Sequence, residues 1–170
     1  MKTLLLTLGL GLIMALQAQG APASEEPDMS GKWYVKAMVT NKGKWAKMFP
    51  MRFSVLSSGD VQATFTSMMS SQCQELETVL EKTEVPGEYR AFGGLSRLHV
   101  ESSSVVDHLL FYSEGQYEGE AFRVAKLMSK NLNINSEALE EFKAFARDRG
   151  FPEKDIFVPL NIESCAPGQH

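Results

Sequence analysis

The stretch at residues 33–40, WYVKAMVT, sets the pattern that decides the fold. Every second residue from Trp33 onward belongs to one face of the segment, and the residues between them, from Tyr34 onward, belong to the other. A period of two is the signature of an antiparallel strand with one dry face and one wet face. The stretch is therefore predicted to be a β-strand with Val35 and Ala37 on the same side as Trp33.

Seven further stretches have the same alternation or a strand-like composition, and turn-forming residues such as Pro86-Gly87 separate some of them. Strands spaced by about 8–12 residues indicate a sandwich or a barrel. A closed up-and-down barrel is favoured because closure removes the exposed strand edges. The predicted fold class is all-β, an eight-stranded antiparallel up-and-down β-barrel. The further strands are predicted at 51–55, 61–66, 75–81, 89–92, 98–100, 108–112 and 120–128.

One segment, residues 135–152, has helical periodicity instead. Asn135 or Ser136 can cap its start, and Gly150 followed by Pro152 ends it. We expect this single C-terminal helix to pack on the outside of the barrel, with a short strand at 156–158 after it. Its apolar stripe consists of Ala138, Leu139, Phe142, Phe145 and Ala146.

The N-terminus, MKTLLLTLGLGLIMALQAQG, has the layout of a secretory signal peptide, with one lysine, a short apolar run and then small residues. We predict a leader at residues 1–20, cleaved near 18–20, and a single domain at 21–170. The sequence predicts a secreted, extracellular protein without stable membrane insertion, because no later stretch approaches the roughly 20 apolar residues of a membrane span. The 17 basic and 21 acidic residues give a net charge of −4, which argues against nucleic-acid binding.

The chain has two cysteines, Cys73 and Cys165. In an oxidising compartment an isolated pair most simply forms one disulfide. Such a bridge would close a loop of about 92 residues, which the chain-entropy account values at roughly 4–5 kcal/mol. The alternative is a reactive thiol. The three histidines lack metal-ligand spacing, so we expect no metal and no cofactor.

Several short motifs resemble those of the lipocalin family. Residues 31–33, Gly-Lys-Trp, match its G-x-W at the start of the first strand, and Asp107-His108 with Tyr112 resembles its second motif. Cys73 and Cys165 stand where many lipocalins link a barrel strand to the C-terminal segment. The stretches 36–38, 84–89 and 137–142 narrow the resemblance to the branch of tear lipocalin, von Ebner gland protein and the type 2 odorant-binding proteins.

The third lipocalin motif is altered. The family has an arginine after the eighth strand that reaches over the tryptophan, and this chain has Lys130 in its place. The resemblance gives Gly31, Trp33 and Lys130 structural roles at the closed end of the barrel. A lysine can contact the Trp33 ring through a cation–π interaction, but it lacks the planar fork of arginine. The closed end is expected to be looser than in relatives.

The lipocalin register turns the apolar residues of each strand into the barrel. An eight-stranded barrel can be filled by its own side chains or can hold one small ligand. A packed core remains the alternative, and the resemblance favours a ligand-binding cup. The predicted lining is Val35, Ala37, Met51, Phe53, Val55, Ala63, Phe65, Leu76, Thr78, Leu80, Leu98, Val100, Leu110 and Phe122.

Lys126 lies within the strand-like stretch 122–128, FRVAKLM, on the same face as bulky apolar residues. Either the opposite face is the buried one and Lys126 points to water, or Lys126 faces a ligand. The lipocalin register places it inward, beside Val124. An ammonium in an apolar cup is costly unless it is paired or deprotonated. Its partner would be water, Tyr112 or a ligand carboxylate, and our hypothesis is that it selects anionic or carbonyl-bearing ligands such as fatty acids and some aldehydes.

The loop 41–49, NKGKWAKMF, is expected to cover the mouth in part. Its three lysines, Lys42, Lys44 and Lys47, would make the rim basic and steer anions inward. An ordinary solvated loop anchored by one tryptophan is the alternative. The predicted hydrophobic lid consists of Trp45, Met48 and Phe49.

The resemblance implies a carrier of small hydrophobic ligands such as odorants, pheromones, fatty acids or other lipids. The alternative is a protein-interaction role, such as protease inhibition through the open-end loops. An enzyme of the prostaglandin-isomerising lipocalin type would need a cysteine in the cavity, whereas the predicted disulfide uses both cysteines. The sequence specifies no cell-surface receptor.

Overall fold

Eight antiparallel strands close into one barrel in the computed structural model, which describes residues 26–44, 47–69 and 72–163. Each strand pairs with the next in the chain, and the last pairs with the first. The predicted fold class is confirmed. The predicted leader at 1–20, Trp45 and Cys165 lie outside the described residues.

The barrel strands are β1 and β3–β9, and two short strands, β2 and β10, form a separate pair. Several strands extend further than the alternation indicates: β4, for example, continues beyond residue 66. The bounds are β1 Gly31–Thr40, β2 Lys47–Met48, β3 Met51–Val55, β4 Val61–Met69, β5 Gln72–Lys82, β6 Glu88–Ala91, β7 Ser96–Ser102, β8 His108–Tyr117, β9 Glu120–Ser129 and β10 Leu160–Asn161.

The closed end of the barrel is packed around Trp33. This residue is buried, and its indole Nε1 donates a hydrogen bond to the Met29 carbonyl at 2.9 Å. Lys130 Nζ lies 5.1 Å from the centroid of the Trp33 ring, within cation–π range. The Lys130 amide also donates to the Asp107 carbonyl, which joins the segments of the second and third motifs at this end.

A register shift in β1 reverses its inward and outward faces. Val35 lies opposite Met128 on β9, but the next paired residue is Ala37, opposite Leu127. One extra residue in a strand turns every later side chain to the other face. The prediction that Ala37 lines the interior is therefore wrong, and Met38 takes the inward position instead.

The helix α1, Ser136–Asp148, packs on the outer wall as predicted. The Asn135 side chain caps its start by accepting a hydrogen bond from the Ala138 amide at 2.9 Å. Phe142 and its apolar neighbours on the stripe contact the outward side chains of β1, β8 and β9. These outward residues are Ala37, Val39, Leu110, Ala125 and Leu127.

The C-terminal segment fills a gap beside β1. β1 pairs with β3 only through residues 31–33, so its later part lacks β3 as a neighbour. Phe157 exchanges two backbone hydrogen bonds with Met38, each 2.9 Å, and β10 then pairs in parallel with β2. The predicted strand at 156–158 is thus an isolated bridge at Phe157, followed by a two-residue strand nearer the C-terminus.

Candidate ligand-binding site

A cavity of about 1390 Å³ occupies the open half of the barrel. Much of its wall comes from inward residues of β3–β9, because cross-strand partners share a face. The structure therefore places most of the predicted lining around one hollow, although contact with a ligand stays a prediction. The predicted residues found on the wall are Met51, Phe53, Ala63, Phe65, Thr78, Leu80, Leu98, Phe122, Val124 and Lys126.

Two predicted lining residues of β8 lie on the wrong face. Leu110 pairs across the sheet with Leu127, and Tyr112 with Ala125, and all four side chains belong to the outer cluster beneath α1. The residues between them point inward, so Phe111 forms the wall instead. The parity was mispredicted because the helix makes both faces of β8 apolar.

Tyr112 makes its contacts on the outer face of the barrel. Its ring meets the Phe151 ring edge-on at a centroid distance of 6.3 Å, and its hydroxyl donates to Glu114 at 2.9 Å. Burial, followed by the hydrogen bond to Glu114, raises the pKa of the Tyr112 hydroxyl. Because it faces away from the cavity, Tyr112 is not the partner of Lys126 that the sequence allowed.

Four other predicted lining residues lie off the cavity wall. Val35 and Val100 are buried in the packed core of the barrel interior. Leu76 is half-buried opposite Phe65 but does not border the hollow. Val55 is 53% exposed at the last position of β3, so its assignment to the lining is wrong. Toward the closed end, inward side chains such as Val35 and Val100 therefore pack against one another and leave no cavity between them.

Lys126 faces the cavity and is only 8% exposed. It lies in one cross-strand row with Met38 and Phe111, and its Nζ is 5.7 Å from the Phe111 ring centroid. Burial disfavours the charged ammonium and lowers the pKa of Lys126 from 10.5 to about 8. Of the two orientations that the sequence allowed, the structure has Lys126 pointing into the barrel rather than to water.

The mouth combines apolar side chains with lysines. Met48 and Phe49 of the predicted lid border the cavity, together with Lys42 and Lys47. Lys42 Nζ is 2.9 Å from a carboxylate oxygen of Glu120, at the start of the neighbouring strand β9, and this contact lowers the pKa of that carboxyl. The rim is therefore partly neutralised by an acidic residue that the prediction of a basic rim did not include.

Several wall residues were not found by sequence reasoning. Ala91, Phe92 and Leu95 belong to β6 and the turn after it, and Leu160 and Ile162 come from the C-terminal segment beside β1. Leu160 and Ile162 are two residues apart, so their spacing was an available signal for a strand-like wall segment. The polar additions include Thr40, Thr66, Ser67, Ser96, Ser113 and Gln116, and Cys73 also borders the cavity.

Cys73 takes part in a disulfide bond. Its predicted partner, Cys165, lies outside the described residues, so the pairing stays a prediction. Among residues 26–44, 47–69 and 72–163, no group of three or more metal-ligating side chains is present. The described helices include none long and apolar enough to span a membrane.

The sequence profile of the lipocalin / cytosolic fatty-acid binding protein family matches residues 30–163. The chain belongs to the lipocalin family. This lipocalin is 42% identical to von Ebner gland protein 1 of Rattus norvegicus over 177 residues, with both chains covered over 100% of their length. It is 41% identical to odorant-binding protein 2a of Mus musculus, covering 97% of this chain and 98% of the relative.

A solved structure of the siderocalin Ex-FABP superposes with a TM-score of 0.67, over 83% of this lipocalin and 97% of the other chain. At 20% sequence identity this likeness supports the fold alone. The relatives agree with the branch that the sequence motifs indicate. As a lipocalin with an open apolar hollow, the protein is a carrier of small hydrophobic ligands and not an enzyme.

Proposed function

We propose that this lipocalin is a secreted carrier that prefers ligands with an anionic or carbonyl group, and that Lys126 orients them. Fatty acids and aldehydes, including odorants and pheromones of that chemistry, are the expected ligand classes. The observation that carries the proposal is a buried amine on the wall of an otherwise largely apolar hollow. The predicted leader at residues 1–20 supports secretion.

The apolar wall supplies most of the affinity. Each CH₂ group that leaves water for the cavity contributes about 0.8 kcal/mol. Such contacts do not distinguish one end of an alkyl chain from the other. Lys126 does distinguish the two ends, because a polar end group near its amine takes the place of the water that burial has removed from that amine.

The protonation state of Lys126 decides which end groups it prefers. With a pKa of about 8, most of the amine carries a proton at neutral pH. An ammonium donates hydrogen bonds to a carboxylate and, more weakly, to a carbonyl oxygen. A bound carboxylate also offsets the desolvation of the ammonium, so binding raises the pKa of Lys126.

The test compares a fatty acid with the alcohol of equal chain length in competition against a fluorescent fatty acid. In Lys126→Met, the affinity for the acid is expected to fall roughly ten- to a hundredfold, as for the loss of a hydrogen bond to a charged group. The affinity for the alcohol should change less than about threefold. Equal losses for the two ligands would contradict the proposal.

Lys36 provides a matched control. It is as buried as Lys126, and burial also lowers its pKa, but it does not border the cavity. Lys36→Met removes a buried lysine from β1 and should leave the preference for acid over alcohol unchanged. A comparable loss of preference in both variants would show that net charge, rather than position, is responsible.

A further inference from the structure

Two buried serines form a polar pair on the cavity wall. Ser96 Oγ on β7 and Ser113 Oγ on β8 lie 3.2 Å apart, and the residues are 3% and 7% exposed. Both border the hollow. Leu98 and Val124, the cross-strand neighbours of Ser113, are apolar, so the two hydroxyls lie in an apolar part of the wall.

The hydrogen bond between the serines leaves one donor unused. Each hydroxyl carries one proton, and a single bond between the two oxygens uses only one of them. In the part of the chain that the structure describes, neither hydroxyl has another hydrogen-bond partner. One O–H group is thus available to the cavity, and a buried donor left without an acceptor is unfavourable.

The pair lies on the same wall as Lys126 but nearer the mouth. Lys126 is opposite Phe111, whereas Ser113 is two residues further along β8 toward the open end. Ser96 lies opposite Gly115, a further two residues along. Two residues of a strand span roughly 7 Å, so an ammonium and a hydroxyl donor face the hollow at different depths.

We infer that the serine pair is a second polar subsite, which donates a hydrogen bond to an oxygen partway along the ligand. The ligand class is a carboxylic acid with a hydroxyl or carbonyl group on its chain. Its carboxylate lies at Lys126 and its second oxygen at Ser96 and Ser113. This inference rests on the proposed function for the position of the carboxylate.

Positional isomers of a hydroxylated fatty acid test the inference. All isomers have the same composition and chain length, so they differ mainly in where the hydroxyl meets the wall. Dissociation constants are measured for each isomer with the wild-type protein by displacement of a fluorescent fatty acid. One hydroxyl position, or two adjacent ones, should bind about three- to tenfold more tightly than the rest, the range expected for one neutral hydrogen bond.

The variant Ser96→Ala/Ser113→Ala removes both hydroxyls. It should bind all isomers within about twofold of one another and bind the unsubstituted acid at least as tightly as wild type does. Thr78→Val is the matched control, since it removes a wall hydroxyl on β5, away from the serine pair. This control should keep the positional preference.

Two results would overturn the inference: wild-type protein that binds all isomers equally, or a positional preference that persists without the serines. The first needs no variant and holds even if the double substitution impairs folding. Failure of the proposed function is seen separately, because Lys126→Met would then leave the acids' affinities unchanged. In that case, a positional preference that disappears without the serines would still support the serine subsite, and only the position of the carboxylate at Lys126 would be wrong.

Discussion

The wall made by β8 and β9 has two apolar faces with different fates. The outer face is sealed by α1, where Leu110 and Leu127 pack against Phe142. The inner face carries Phe111 and Ser113, and it borders a hollow of about 1390 Å³. Apolar composition alone therefore does not make a core: of two apolar faces, the one that α1 covers becomes core and the one that borders the hollow becomes a binding surface.

The polar groups of the two faces differ in the same way. On the outer face, the Arg123 guanidinium stacks 4.4 Å from the Phe151 ring centroid and donates to the Arg149 carbonyl at 2.7 Å. These contacts join the wall to the chain after α1. On the inner face, Lys126 and the serine pair present donors to the cavity, where a ligand can accept them.

The largest expected effect comes from opening a hole in the sealed face. Phe142 is fully buried between α1 and the outer face of the wall, and Phe142→Ala should reduce the free energy of unfolding by about 3–5 kcal/mol. Ligand affinity of the folded fraction should stay within about twofold. Denaturant unfolding and ligand displacement measure the two quantities.

The same substitution on the inner face is the control. Phe122 is half-buried on the cavity wall, so Phe122→Ala should cost less stability but weaken ligand binding severalfold. If Phe142→Ala weakened ligand binding more than Phe122→Ala did, the claim that the outer face stabilises the fold and the inner face binds the ligand would be wrong.

The next effect tests the parity of β8. Leu110→Ala should reduce stability by about 2–4 kcal/mol and leave ligand affinity unchanged, because Leu110 points toward α1. Phe111→Leu should do the reverse, with a small loss of stability and altered affinity or ligand preference. A ligand effect confined to Leu110→Ala would restore the register that the sequence suggested.

A smaller effect is the pH dependence of stability that Lys126 causes. Folding lowers its pKa from 10.5 to about 8, so between those values the unfolded chain holds a proton that the folded chain has released. Stability from this group therefore rises with pH from about 8 to about 10.5, by up to about 3 kcal/mol. The difference between wild type and Lys126→Met, measured by denaturation from pH 7 to 10.5, isolates this contribution; a flat difference would contradict the burial of the amine.

The smallest effect concerns the closed end. Lys130→Ala removes the cation near Trp33 and should cost about 0.5–1 kcal/mol of stability. Lys130→Arg should be at least as stable as wild type, because arginine stacks on aromatic rings more favourably. Neither variant should change ligand affinity, and a loss of affinity in Lys130→Ala would link the closed end to the cavity.

The fold was predictable because local patterns and the helix signals agree. Asn135 caps the helix, and its apolar stripe packs where the alternation leaves an outer wall. The closed end was also accessible, since Trp33 is buried near Lys130. These features depend on contacts between residues whose types alone indicate their environment.

The exact facing of side chains was less predictable. The register shift in β1 has no residue signal, yet it exchanges Ala37 for Met38 on the inner face. In β8 the alternation disappears, because helix and cavity both require apolar neighbours, and Leu110 and Tyr112 were assigned to the wrong side. Parity can be read from a strand only when one of its faces meets water.

The contribution of the C-terminal segment to the wall was not predictable either. Leu160 and Ile162 reach the cavity because β1 and β3 separate beyond residues 31–33. That separation arises from how the barrel closes, and no local pattern reports it. The sequence similarly gives no sign that Ser96 and Ser113 meet, since 17 residues separate them along the chain.

The most direct test of the central claim is to measure the pKa of Lys126 by NMR of its labelled side chain, with and without a bound fatty acid. We expect about 8 in the ligand-free protein and a distinctly higher value when the carboxylate is bound. A pKa near 10.5 in both states would place the amine in water and contradict the account of a cavity that orients its ligand through Lys126.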